Sequence, residues 1–193
     1  MFQVRIHGRG GQGVVSGAEM LSIAAFLEGR HAQAFPSFGS ERMGAPVVAF
    51  CRIDDKPIRL REPVMEPQAL IIQDPTLLHQ VDLFAGLHAG AYILINSTRS
   101  LEELGLGELA HDERSYRLCT IGATELAMKH VGRPVPNAAL LGGFAALSAM
   151  IQLESVSAAI RDKFSGSVAD ANVAAAAEAF ATVLKELEEA RDA

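Results

Sequence analysis

Glycines 8, 10 and 13 stand at the spacing G-x-G-x-x-G within His7-Gly8-Arg9-Gly10-Gly11-Gln12-Gly13. Residues without a Cβ let the chain turn tightly and bring main-chain amides close to a ligand. A helix that starts at such a turn aims its free N–H groups, and the positive end of its dipole, at the same point. The chemistry on offer is therefore phosphate binding. The flanks suit it: Phe2 to Ile6 alternates like a strand, and Val14 to Leu27 has helical periodicity. The same spacing also serves a ligand-free connection between strand and helix, and the residues alone leave that open.

A second candidate is Pro36-Ser37-Phe38-Gly39-Ser40-Glu41-Arg42-Met43-Gly44-Ala45-Pro46. It is too rich in Gly, Pro and Ser for regular structure, and it carries an acid, a base and two hydroxyls. Loops of this kind hold functional side chains more often than regular elements do. A solvated surface loop is the alternative. Asn96-Ser97-Thr98, just past an apolar run at Ala91 to Ile95, occupies the place where open α/β sheets bind ligands, or else it only turns the chain.

Other chemistries find no residues to carry them. There is no G-x-x-x-x-G-K-[ST] nucleotide loop and no G-x-S-x-G elbow. The six histidines show no metal spacing. Cys51 and Cys119 lie apart in apolar runs and read as buried thiols, so this chain alone holds no iron–sulfur cluster. A nicotinamide site wants an acidic residue ending the second strand, which instead ends Phe35-Pro36-Ser37, with Glu41 further on. That counts against NAD and leaves a coenzyme A diphosphate open.

The elements that must position these residues alternate between the two periods. Strands are expected at 2–6, 31–35, 47–53, 69–72, 91–95 and 117–121, with Ile58 to Arg61 returning beside 47–53 as an antiparallel hairpin. Helices are expected over 14–27, from Thr76 or Asp74 through 84, over 123–131, over 138–151 with Asn137 as N-cap, over 155–164 and over 168–189. Val173, Ala177, Phe180, Leu184 and Leu187 should form the buried stripe of the last one. Gly142 and Gly143, inside a helix, signal close approach by another backbone, within the chain or at a subunit contact. The expected fold is α/β: a Rossmann-like three-layer sandwich with a mostly parallel sheet, one antiparallel hairpin and C-terminal helices packed on a single domain over 1–193.

Composition narrows the partners. The 193 residues include 17 basic and 23 acidic side chains, a net charge of -6, which argues against nucleic acid. No uninterrupted apolar run reaches the roughly 18 to 20 residues of a membrane span. The N-terminus lacks a secretory pattern, and a reducing cytoplasm is the expected setting.

Three blocks carry a resemblance: Ile6 to Val15, Gln33 to Val47, and Phe50 to Ile58, followed by Val135-Pro136-Asn137 and Leu141-Gly142. Together they resemble the gamma subunit of the 2-oxoacid:acceptor oxidoreductases, the group that includes pyruvate:ferredoxin and 2-ketoisovalerate:ferredoxin enzymes. The resemblance implies a subunit of an enzyme that oxidatively decarboxylates a 2-oxoacid to an acyl-coenzyme A. Thiamine diphosphate, Mg2+ and [4Fe–4S] clusters would reside in partner alpha, beta and delta subunits, with ferredoxin or an NAD-reducing subunit as acceptor. It further implies that Gly8, Arg9, Gly10, Gly11, Gln12 and Gly13 meet the diphosphate of coenzyme A. Ser37, Phe38, Gly39, Ser40, Glu41 and Arg42, with Gly44, would face the catalytic subunits and complete the cofactor-binding set. Relatives commonly carry a second Arg where this chain has Met43. A scaffold without ligand and a free-standing nicotinamide oxidoreductase remain as rival readings.

Overall fold

The computed structural model describes residues 1–37 and 42–192. A six-stranded sheet runs in the order β2-β3-β1-β4-β5-β6, with β1 Phe2–Arg9, β2 His31–Pro36, β3 Pro46–Asp54, β4 Ala69–Ile72, β5 Tyr92–Asn96 and β6 Arg117–Ile121. β1, β4, β5 and β6 are parallel neighbours, and β3 is antiparallel to both β1 and β2. The α/β class, the largely parallel sheet and the antiparallel hairpin are thus as expected.

The hairpin partner is not. Ile58 to Arg61 is irregular, and the return strand is β2, which precedes the turn-rich loop. Both edges of β3 are taken, by β1 from Phe2↔Ile53 to Arg9↔Pro46 and by β2 from His31↔Asp54 to Pro36↔Ala49. No edge is left for residues 58–61. Alternation of Ile58 and Leu60 with Arg59 and Arg61 fits a strand locally, but pairing decides.

One face of the sheet carries α1 Val14–Leu27, α4 Asn137–Ser148, α5 Leu153–Lys163 and α6 Gly166–Asp192, with α3 Ala123–His130 beside α4 and α6. Val4, Ile6, Ala18, Leu21, Phe144 and Val156 are among the core residues on this side. The opposite core, with Leu70, Ile72, Ile93 and Ile95, is covered by short pieces: the 3-10 turn Pro75–His79, loops, and α2 Gly107–Ala110. The helix expected from residue 74 or 76 through 84 is that one 3-10 turn. Two buried arginines pin this side. Arg5 Nη2 donates to the carbonyls of Leu83 and Ala85 at 2.7 and 2.9 Å, and Arg52 Nη2 donates to that of Glu62 at 2.6 Å.

The C-terminal helices are organised by glycine and alanine. Ala169, Asn172, Ala175, Ala176, Ala179 and Val183 form the buried face of α6, while Val173, Phe180 and Leu187 flank it and Leu184 is exposed. The stripe is therefore one residue off the expected one. A Cβ on Gly142 would stand 2.0 Å from the Ala176 carbonyl oxygen, so α4 and α6 meet backbone to backbone and only small side chains fit between them. Both Gly142 and Gly143 are buried inside the chain, so the subunit-contact alternative for them falls away. By length and composition α6 could cross a bilayer, but its alanine face is packed on α4.

Gly142→Ala should destabilise by about 1–3 kcal/mol through overpacking. Gly143→Ala, whose Cβ would meet Leu94 and Val183 at an ordinary 3.4 Å, should be neutral or gain up to about 1 kcal/mol of helix propensity. Urea midpoints of the two variants decide it; equal midpoints would refute the close-contact account.

His7, in β1, is 5% exposed and its Nε2 has no partner among the described residues. Burial, then the nearby Arg5 charge, pushes its pKa down to about 3 from 6.5. The unfolded chain thus binds the extra proton over that window, and stability should fall as pH drops from about 6.5 toward about 3. The ceiling is about 1.4 kcal/mol per pH unit. Urea midpoints between pH 7 and 4.5 should slope less for His7→Gln than for the natural chain; parallel slopes would show that His7 is not the group responsible.

Candidate functional site

β1 does not stop at Ile6. It runs through Arg9, so Gly8 and Arg9 are ladder residues opposite Val47 and Pro46, and the turn proper is Gly10 to Gly13. Gly11 and Gly13 hold φ of +89° and +73°, the left-handed region that glycine enters without strain. The residues after the β2–β3 loop close on this turn. The Gly10 amide donates to the Ala45 carbonyl at 2.9 Å, and the Gly44 amide donates back to the Gly10 carbonyl at 3.0 Å. A Cβ on Gly10 would lie 2.1 Å from the Arg42 carbonyl oxygen, and one on Gly11 would lie 2.3 Å from the Met43 sulfur.

Polar side chains hold the turn from the β4 side. Gln12 Oε1 accepts the Arg9 amide at 2.7 Å, and its Nε2 donates to Asp74 Oδ2 at the same distance. Gln73 Nε2 donates to the Gln12 carbonyl at 2.9 Å. Arg9 turns toward Asp74, 3.3 Å away, and also donates to Thr76, Gln80 and the Gly44 carbonyl. Its charge therefore has an internal partner. Burial works to raise the Asp74 carboxyl, but hydrogen bonds from Thr76 and Gln12 and the Arg9 charge outweigh it, holding the group below the usual carboxylate range.

The start of α1 is bare. Its N-cap is Gly13, no side chain caps it, and its first turn holds no acid. The amides of Gly13, Val14, Val15 and Ser16 donate to nothing among the described residues, the four open donors of an uncapped helix. Beside them lies a cavity of about 290 Å³, lined by Gly11, Gly13 and Ser16 together with residues from the starts of α4 and α6.

The expected residues divide as follows. Gly8 to Gly13 are brought together, as the end of β1 and the turn. Ser37 is exposed and its amide pairs with the Val48 carbonyl; Arg42 is exposed, with its carbonyl over Gly10. Phe38, Gly39, Ser40 and Glu41 lie outside the described residues. Met43 is 86% exposed at the rim of the turn. Asn96 is a tie rather than an open ligand group: its Nδ2 donates to the Gln73 carbonyl and to Thr124 Oγ1, both at 2.8 Å.

Sequence reading missed Gln73 and Asp74 as supports and Arg133 and Asn172 as cavity residues. Asp74 was visible as a helix cap, which it is, accepting the Thr76 amide at 3.0 Å. Nothing in its spacing pointed to Gln12 or Arg9. Asn137 was read as an N-cap; instead it is the first residue of α4, behind Pro136, and its Nδ2 donates to the Gly13 carbonyl at 3.2 Å. This bond ties the C-terminal helices to the turn.

Comparison with known proteins places this architecture. The sequence pattern of the pyruvate ferredoxin/flavodoxin oxidoreductase family matches residues 3–182. The chain is 46% identical over 188 residues to the pyruvate/ketoisovalerate oxidoreductases common subunit gamma of Thermococcus kodakarensis, covering 97% of this chain and 100% of the relative. It is 44% identical over 185 residues to the pyruvate synthase subunit PorC of Methanocaldococcus jannaschii, covering 96% and 98%. The crystal structure of pyruvate oxidoreductase subunit PORC from Thermotoga maritima superposes with a TM-score of 0.79 at 32% identity, over 93% of this chain and 95% of that one. With a pattern match over most of its length and relatives of equal extent, the chain belongs to the pyruvate ferredoxin/flavodoxin oxidoreductase family, as an oxidoreductase subunit of the gamma or PorC kind.

Proposed function

We propose that this chain is the gamma subunit of a complex that converts a 2-oxoacid to an acyl-coenzyme A, and that it holds coenzyme A at the start of α1. The observation that carries the reading is the uncapped helix end: open amides at Gly13 to Ser16, with no acid in the first turn. In a chain of net charge -6, that point remains favourable to an anion. Thiamine diphosphate with Mg2+ and [4Fe–4S] clusters in alpha, beta and delta subunits supply the decarboxylation and carry the electrons to ferredoxin or an NAD-reducing subunit. No grouping of His, Cys, Asp and Glu among the described residues of this chain could hold a metal ion.

The work of this chain is then positional. Amides fixed by the turn hold the diphosphate, and a held coenzyme presents its thiol at high effective concentration. Gln12, Asp74 and Arg9 act on the turn and not on the ligand, since their polar atoms already bond one another. The exposed residues Ser37, Arg42 and Met43 beside the turn suit contact with a catalytic subunit. The two buried free thiols fit a reducing cytoplasm.

One observation favours a ligand-free scaffold instead. The Cβ positions at Gly8, Gly10, Gly11 and Gly13 would each strike protein atoms within 2.1 to 2.6 Å, so internal packing by itself accounts for the glycines. The readings separate on Gly10→Ala, which must push the Arg42 carbonyl off the turn. If the turn holds the diphosphate, the dissociation constant for coenzyme A, titrated calorimetrically into the assembled complex, should rise about tenfold to a hundredfold, the worth of one or two charge-assisted hydrogen bonds. An unchanged constant in a complex that still assembles would establish the scaffold.

A further inference from the structure

The sheet ends at β2 on one side and at β6 on the other, and a cavity of about 310 Å³ lies along β6. Its lining includes Leu118, Cys119 and Thr120, three successive residues of that strand. Successive strand side chains point to opposite faces. Leu118 packs against the core that holds Ile93 and Ile95, and Cys119 belongs to the core that holds Leu94 and Val183. A space reached from both faces straddles the outer edge of the strand. The turn at Ser100 to Glu102 walls it on one side, and the last turns of α6, with Glu186 and Leu187, on the other. The edge of β6 is the floor of a groove.

The main chain on that floor is open. The Arg117 amide donates to the Ala91 carbonyl at 2.9 Å, and the Ile121 carbonyl accepts from the Ser97 amide at 2.9 Å, so residues 117, 119 and 121 turn their backbone groups toward β5. The alternate residues, Leu118 and Thr120, turn theirs outward, where no main-chain partner meets them among the described residues. Edge strands are usually guarded by charge, proline or a covering element. The one charged residue of β6 is Arg117, and its guanidinium donates to the Tyr92 hydroxyl at 2.6 Å. Unpaired backbone beside leucine side chains is the arrangement that accepts an added strand.

Charge says which strand. Each wall carries a carboxylate, Glu102 from the turn and Glu186 from α6, and neither makes an ion pair among the described residues. Glu186 accepts from the Cys119 thiol at 3.3 Å; burial, then this carboxylate, pushes the thiol pKa up, so it stays neutral and offsets none of the negative charge. A second copy of this chain laid edge to edge would bring two more acids into the same groove, and its net charge of -6 would add to the repulsion. We propose that the outer edge of β6 is a docking groove for an extended segment of another subunit of the oxidoreductase, one that carries a lysine or arginine beside an apolar side chain. The main chain of that segment pairs with Leu118 and Thr120, its apolar side chain enters between Leu101 and Leu187, and its cation lies between Glu102 and Glu186. This docking rests on the reading of the chain as one subunit of a complex and not on where coenzyme A binds, since β4 and β5 separate β6 from the strand of the glycine turn.

Hydrogen exchange on the assembled complex reads the main chain directly. The amides of Leu118 and Thr120 should exchange as slowly as those of β5; exchange at the rate of exposed amides overturns the proposal. Thr120→Pro removes an outward N–H and spares the β5 ladder, the place where an edge strand tolerates proline. It should raise the dissociation constant of this chain from its partners about tenfold. The double variant Glu102→Lys with Glu186→Lys changes two exposed side chains and keeps the test open if the proline variant fails to fold. It should weaken assembly by a similar factor, less so at high salt. Assembly unchanged by the charge reversal and by Thr120→Pro overturns the proposal. Carbodiimide coupling, which joins a carboxylate to a neighbouring amine, names the occupant. Glu102 or Glu186 joined to a lysine of another subunit supports the docking groove; either one joined to a second copy of this chain overturns it. The Gly10→Ala titration with coenzyme A reads a separate site, so either reading can fail alone.

Discussion

Everything at the site depends on where β3 pairs. Because β3 lies between β2 and β1 and runs antiparallel to both, its first residues arrive at the carboxyl end of β1. There the backbone of residues 42–45 exchanges hydrogen bonds with Gly10. A parallel strand in this place would have brought its far end to the turn and left the glycines open. The antiparallel insertion makes the turn and the end of the loop one hydrogen-bonded unit. Packing accounts for the glycines at positions 10 and 11: backbone meets backbone, and a Cβ would strike the Arg42 carbonyl or the Met43 sulfur.

The second constraint lies on the other side of the turn. α4 and α6 approach so closely at Gly142 and Ala176 that the C-terminal helices can settle against α1 and the sheet. Asn137, held at the start of α4, reaches the Gly13 carbonyl, and the starts of α4 and α6 line one cavity with the start of α1. The close approach of α4 and α6 thus fixes where their starts stand in the wall of this mostly apolar cavity.

Charge is divided in the same way. Arg9, next to the turn, is matched by Asp74 and serves to hold the 3-10 segment to β1. Arg133, far off in sequence, lines the cavity and makes no ion pair among the described residues. A residue's distance from a motif along the chain says little about which of two arginines is tied to an internal acid. The side chain nearest a fixed turn is also the one best placed to brace it.

Much was legible from the chain alone. Strand and helix periods located most elements within a few residues, because a half-buried surface imposes its period wherever it occurs. The turn and the helix that follows it were readable from the spacing of Gly8, Gly10 and Gly13, although the positive φ values fall at Gly11 and Gly13 and Gly8 is a residue of β1. The specific block from Gln33 to Val47 identified the family before any contact was known. Pairing, by contrast, is a long-range choice among similar strands: the local pattern of residues 58–61 could not reveal that β2 already filled the edge of β3. The register of α6 went the same way, since alanines carry little periodic signal and the close approach that favours them exists only once α4 is in place. The bond between Gln12 and Asp74, and the meeting of Arg133 and Asn172 in one cavity wall, were likewise decided by tertiary structure, because each joins residues that sequence spacing leaves unrelated.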